Sequence, residues 1–373
     1  MGSEKPSRRK VLKALGITAS VTGTATYARA SSPQTTQVPK LIAGGEVYEY
    51  MSVEKDWYEH TQHAAQARDR FSKQFRNNSS IFSIGLVRSP ETYGGQSGLQ
   101  IQVTTEKDEL ETLSNVLPNR FDEVPVTVGE RPENKRKGNC TNTETNTNIQ
   151  GGEAVGCKET SSYGTVCCPI NSDELLHCAH VFWSSCDDNS SDIEGRTARV
   201  TDLNGTVQNI GTVEFADKKG DFIRITPYSD VSVDNTIDDN DVYPPIRGLV
   251  TKATLDRWVS KSKSDRPMLN HMGVNTGKTN GRLASVNYEE SLTCTNFDDG
   301  HGVYTWVDMG DGDSGGPTYW YDGEYAWITN ITTDYYYAYD TGCNDGWIGT
   351  DSCGTGAYQI ADYGITFGDD LGT

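Results

Sequence analysis

The string Gly312-Asp313-Ser314-Gly315-Gly316-Pro317 places one serine in a run of glycines. Glycine lets the chain turn tightly, presents the hydroxyl and frees backbone N–H groups to converge on one point. An acyl-transfer enzyme needs that arrangement, because the oxyanion of its tetrahedral intermediate must be met by donors already in place. Serine alone is a poor nucleophile, so a base and a group to orient that base must come from elsewhere. The chain has six histidines, His60, His63, His177, His180, His271 and His301. His180 stands in Cys178-Ala179-His180-Val181, after the apolar pair Leu175-Leu176, where a strand passes into a loop. Asp221 follows the turn residues Lys219-Gly220 and begins Asp221-Phe222-Ile223-Arg224-Ile225, a position from which a carboxylate can be buried against an imidazole.

Other chemistries compete for the same residues. Gly312-x-Ser314-x-Gly316 also satisfies the nucleophile elbow of α/β-hydrolases, but that fold needs its histidine after the serine and none follows His301, so chain order excludes it. Cys157, Cys167, Cys168, His177, Cys178, His180 and Cys186 suit zinc by type, which makes a zinc-binding surface protein an alternative. Their spacing lacks two clean ligand pairs, and no metal site is assigned. Asp187-Asp188, Asp238 to Asp241 and Asp298-Asp299 could hold structural calcium in loops, though none has EF-hand spacing and an acidic surface explains them equally. No other cofactor is expected.

The 373 residues leave room for about two domains. Lys and Arg number 33 against 52 Asp and Glu, a net charge of -19, concentrated after residue 148. Such a surface repels phosphate backbones, so nucleic acid is excluded as a partner, and it suits a protein kept soluble at high salt. No run reaches the roughly 18 apolar residues of a membrane helix, so stable membrane insertion is not expected. Ser7-Arg8-Arg9-Lys10-Val11-Leu12-Lys13, then a mildly apolar run ending in Ala28-Arg29-Ala30, resembles a twin-arginine signal peptide. Residues 1–30 are therefore read as an export signal, the twin-arginine machinery as a partner and the mature protein as secreted. Export favours disulfides among the nine cysteines, with Cys343 and Cys353 placed to close a short loop and connectivity otherwise open.

Residues 53–75 have helical apolar spacing at Trp57, Ala64, Ala67 and Phe71, 81–87, 99–104 and 124–128 read as strands, and 108–117 as a helix. This makes residues 31–132 a small α/β unit. Residues 133–148 form a polar linker around Lys135-Arg136-Lys137. From 149 to 373 short β-rich runs alternate with Gly, Asp, Asn and Ser turns, apart from one helix over Lys252 to Lys261, which indicates antiparallel barrels or a sandwich.

His180 before a loop, Asp221 before an apolar strand and GDSGGP near the end together resemble a trypsin/chymotrypsin-type serine protease of the secreted streptogrisin-like branch. Ile149-Gln150-Gly151-Gly152 is similar to the family's opening strand, and Val274-Asn275-Thr276-Gly277-Lys278-Thr279-Asn280-Gly281 to its Gly/Thr-rich hairpin. The resemblance covers residues 149–373 and implies a mainly β fold of two antiparallel six-stranded barrels, here preceded by the α/β unit as a propeptide. It implies a serine endopeptidase acting on protein or peptide substrates: Ser314 as nucleophile, His180 as base then acid, Asp221 orienting the imidazole, and the N–H groups of Gly312 and Ser314 as oxyanion hole. Thr329 would set its hydroxyl against Asp221, Asp308 would lie in the specificity pocket, and Asn330 and Ile331 would line the pocket walls. Asp308 points to basic substrates and Ile331 to small apolar ones, which leaves specificity open. Two departures, Cys178 two residues before His180 and Ile223 two after Asp221, keep a catalytically inactive binding module as the alternative.

Overall fold

The helix expected over residues 53–75 forms as Lys55–Phe75, burying Trp57, Ala64, Ala67 and Phe71. Neither Gly nor Pro interrupts it. The structure is a computed structural model that describes residues 34–131, 148–171, 173–185, 187–201, 206–239, 242–290, 302–336, 339–343, 346–349 and 351–368. The other expected elements of the N-terminal region form as Ser83–Tyr93, Gln96–Thr105, Leu110–Val116 and Val124–Glu130. Two strands the sequence did not announce, Thr35–Ala43 and Glu46–Glu54, pair as a hairpin turned at Gly44 and Gly45, both at positive φ.

The larger part of the chain is β, as expected, with the helix Lys252–Val259 where one was read. Six strands, Met268–Gly273, Gly277–Glu290, Gly302–Thr305, Asp351–Gly356, Ala326–Tyr336 and Pro317–Tyr321, pair antiparallel in that order, and the last pairs back with the first. That ring is a closed barrel, which removes free edges. A second antiparallel sheet runs Cys168–Ile170, Glu174–His177, Phe222–Pro227, Val207–Asp217, Thr197–Thr201, Ala154–Cys157, Tyr163–Thr165. Of the two barrels expected, one is thus closed and the other is a half-barrel of seven strands. Both agree with the trypsin-like architecture.

The N-terminal region is joined to the closed barrel rather than set apart. Thr35–Ala43 pairs with Ile246–Val250, which runs parallel to Ala326–Tyr336, and Ser83–Tyr93 pairs with Gly277–Glu290. Gly248 permits the first junction, because a Cβ there would run into the Ile42 carbonyl. Leu41, Phe71, Ile84 and Leu86 share one buried cluster with Val250, Leu255, Leu283, Val286 and Trp327. The described residues from Thr35 onward accordingly form one compact unit. The expected linker lies almost wholly outside the described residues, as do the signal segment, Cys140, Cys186 and Cys294.

Cys157, Cys167, Cys168 and Cys178 are buried free thiols, so the disulfides expected of an exported chain do not form among these four. The Cys343 side chain lies outside the description, and with it the loop closure proposed for Cys343 and Cys353. No described helix is long and apolar enough to cross a membrane.

Candidate active site

Strand Glu174–His177 ends three residues before His180, which opens the short 3-10 turn His180–Phe182. Asp221 sits one residue before strand Phe222–Pro227, the antiparallel neighbour of the His177 strand. Its φ is +49°, a left-handed conformation that Asp tolerates better than most residues. From there the buried carboxylate takes two bonds from one residue. Oδ1 accepts the His180 main-chain N–H at 2.8 Å, and Oδ2 meets His180 Nδ1 at 2.7 Å. The imidazole is thereby fixed in position, with Nε2 left for chemistry, and its side chain stays 30% exposed against 0% for Asp221.

Burial works against a charged imidazole here, but Asp221 and the Cys178 sulfur outweigh it and hold the His180 pKa well above the ordinary 6.5. Cys178 Sγ lies 3.9 Å from His180 Nε2 and 3.4 Å from His177 Nδ1. Burial alone would push this thiol up; His180 and His177 outweigh it and bring it down to about 7. Asp334 also faces the pair: burial raises its carboxyl, against the Tyr335 N–H and His180.

Ser314 is half-buried, and its Oγ donates to the Thr333 carbonyl at 3.3 Å. Among the described residues no hydrogen bond joins it to His180. Its loop is fixed by main-chain carbonyls that are all occupied. Gly310 O accepts from Asp313 N–H, Asp313 O from Gly316 N–H and Ser314 O from Thr165 N–H, while Gly315 N–H donates to Thr332 O. Gly312 O accepts from Thr165 Oγ1 at 2.8 Å, and Asp311 O from Asn275 Nδ2. The N–H groups of Gly312 and Ser314 have no acceptor among the described residues, as an oxyanion hole requires. Gly312 and Gly315, at φ +90° and +95°, make this path available. Asp313 is wholly buried and takes Gly310 N–H, Asn275 N–H, Thr276 N–H and Thr276 Oγ1–H; burial outweighs these donors and raises its pKa to about 6.

The structure joins His180 to Asp221 and sets Gly312 and Ser314 in one tight loop, with Ser314 Oγ turned to Thr333. The pocket assignments need correction. Thr329 donates to Thr318 O at 2.8 Å and not to Asp221. Thr329, Asn330 and Ile331 have no exposed surface, so they cannot line an open pocket. The strand Ala326–Tyr336 has a register shift between Thr332 and Asp334, and it meets the serine there, through the Thr333 carbonyl. Asp308 is half-buried, with its carbonyl taken by Thr279 Oγ1. Tyr335, whose hydroxyl donates to Asp311 at 2.5 Å, escaped the sequence reading, since nothing local marks it, and Cys178, read as a departure from the family pattern, lies against the imidazole.

Elsewhere, His60 and His63 bond to main-chain atoms of Leu99 and Asp122, and His271 lies buried near the Thr318 and Thr332 hydroxyls. The calcium expectation meets carboxylates already engaged: Asp188 with Ser184 N–H and Arg196, Asp239 with Lys278 and Tyr319. Among the described residues no three His, Cys, Asp or Glu side chains converge as a metal site.

No family model matches the chain, and no curated protein matches it. Solved structures similar to it are chymotrypsin-like bacterial serine proteases. Cellulomonas bogoriensis chymotrypsin is 15% identical, covering 59% of this chain and 97% of its own, with a TM-score of 0.40. Thermobifida fusca protease A is 16% identical over 59% and 97%, TM-score 0.40, and Nocardiopsis protease 14% identical over 60% and 100%, TM-score 0.41. At these identities the case for chemistry rests on the geometry of His180, Asp221 and Ser314.

Proposed function

We propose that this chain is a secreted serine endopeptidase that hydrolyses peptide bonds through Ser314, His180 and Asp221. The observation that carries the reading is the double hold of Asp221 on His180, at 2.8 and 2.7 Å, in a chain whose serine loop keeps two uncommitted N–H groups. In the reaction Ser314 Oγ leaves the Thr333 carbonyl by rotation about χ1 and attacks the substrate carbonyl carbon. Its proton passes to His180 Nε2, and the oxygen that gains the electron pair is met by the Gly312 and Ser314 N–H groups. Collapse breaks the C–N bond, and the leaving amine takes the proton from Nε2. Water then attacks the acyl-enzyme by the same proton route, releasing the acid and restoring Ser314. Catalytic hydrogen bonds are often long before substrate binds, so the resting Ser314 rotamer is compatible with this path.

The test is labelling of the secreted protein with a fluorophosphonate at low and molar salt, with peptide mapping. Labelling of Ser314 that is lost in His180→Ala is expected. A second reading, an inactive protease-like binding module, draws on one observation: His180 Nε2 has a sulfur at 3.9 Å while Ser314 bonds elsewhere. Absence of labelling in folded protein at every salt concentration would establish it instead. Export by the twin-arginine route belongs to the same proposal, on the strength of Arg8-Arg9 and the run that follows. So does the N-terminal region, whose shared core favours a part that stays with the catalytic unit over a propeptide that is shed.

A further inference from the structure

The direction of an oxyanion-hole N–H is decided by the peptide that carries it. The Gly312 N–H belongs to the 311–312 peptide, whose other end is the Asp311 carbonyl. Described peptide bonds are all trans, so the two groups point in opposite directions and anything that holds the carbonyl aims the N–H. The holder is the side-chain amide of Asn275, which donates from Nδ2 to Asp311 O. This amide comes from a different element, the turn between strands Met268–Gly273 and Gly277–Glu290. Its own position is fixed, because the Asn275 main-chain N–H donates to Asp313 Oδ1 at 2.7 Å.

The remaining anchors of the loop are main-chain groups, the buried Asp313 and the Thr165 hydroxyl, which itself accepts the Val274 N–H at 3.0 Å. The Tyr335 hydroxyl also holds the Asp311 carboxylate, whereas the Asn275 amide meets the 311–312 peptide itself, which precedes a glycine that accepts either sign of φ. A Cβ at Gly312 would lie 2.7 Å from Asn275 Nδ2, so amide and glycine are fitted to each other. We infer that Asn275 is a positioning residue for the oxyanion hole, holding the 311–312 peptide in the orientation that presents the Gly312 N–H to the reacting carbonyl. This rests on the endopeptidase reading and adds a residue to it.

Loss of one oxyanion donor costs about 10²–10³ in kcat. Asn275→Asp keeps the shape but replaces the donor with an oxygen facing the Asp311 carbonyl, and Asn275→Ala removes the donor without adding charge. Both variants are expected to lose kcat by about that factor, with KM, the thermal midpoint and the acid limb of the pH profile within about twofold or a few tenths of a unit of wild type. The probe for kinetics is the best-cleaved peptide from a quenched-fluorescence library. A peptidyl boronic acid, whose tetrahedral adduct needs the hole, should weaken in parallel with kcat, while the cleaved acid product should bind unchanged. A kcat within threefold of wild type in both variants overturns the inference, as does a loss confined to KM or to thermal stability. Fluorophosphonate labelling of wild-type Ser314 separates the two failures: labelling with unaffected variants sinks the role of Asn275 alone. No labelling removes the endopeptidase reading and this inference with it.

Discussion

Glu289→Ala should destabilise the whole protein, including the part that carries the serine. Glu289 lies near the end of strand Gly277–Glu290, opposite Ile84, and is 8% exposed. Its Oε2 is 2.9 Å from Arg68 Nη2 and accepts from Ser72 Oγ at 2.5 Å; Arg76 approaches Oε1 at 3.6 Å. Arg68 has no exposed surface, and its other partners are Asp69 and the Ile84 carbonyl. Removing the carboxylate leaves that guanidinium buried with one exposed counter-charge, a situation that costs about 3–5 kcal/mol. Against a typical stability of about 5–15 kcal/mol the loss is large. Urea unfolding of the full chain, followed by far-UV circular dichroism and by Trp fluorescence, measures it. Both signals should fall in one transition with a lower midpoint and an unchanged slope. Arg68→Met combined with Glu289→Leu should recover most of the loss, because no charge is then stranded. A loss under about 1 kcal/mol, the size of an exposed pair, would refute the reasoning. So would two separate transitions in the wild type, since the N-terminal region and the barrel would then not share a core.

On the endopeptidase reading, the pH dependence of kcat/KM should respond to Cys178. His180 must be neutral to take the Ser314 proton, and its raised pKa places the acid limb of kcat/KM above the ordinary histidine range. The Cys178 sulfur is one cause of that elevation, so Cys178→Ala should move the limb to lower pH, with Asp221 and Asp334 still holding it up. An unmoved limb, or one moved upward, would show that the thiol does not act on the imidazole. For the N-terminal region, sequencing of active protein from the medium should find a start near residue 31; a start near residue 149 would mean that the region is shed after all.

The candidate site residues were legible where they depend on neighbours in sequence. GDSGGP must be contiguous to fold as it does, and His180 and Asp221 each mark the end of a strand, where polarity changes abruptly. The helix Lys55–Phe75 and the turn before Gly277 were legible for the same reason, since periodicity and turn residues are local. What failed was counting and long-range pairing. Counting along Ala326–Tyr336 set the Thr329 hydroxyl against Asp221, whereas Thr329 bonds to Thr318 and the strand meets the serine at Thr333, beside an irregularity between Thr332 and Asp334 that no composition reveals. Arg68 reads as the solvent face of an amphipathic helix, because arginine is rarely buried unless paired, and its partner Glu289 lies in a distant strand.

The core shared with the N-terminal region reaches the candidate site through one strand. At its start, Trp327 of Ala326–Tyr336 lies in the core shared with the N-terminal region, and the Tyr48 ring packs 5.1 Å from it. Six residues later the same strand gives its Thr333 carbonyl to Ser314 Oγ and, one residue before, its Thr332 carbonyl to Gly315 N–H. Interiors are close-packed, so a strand held at one end by a filled core keeps its other end in register. A cavity opened beside Trp327 would be felt at the serine as lost alignment before it was felt as unfolding. The N-terminal region, on this account, is a structural support of the site, and its hairpin Thr35–Glu54 is the part through which that support is applied.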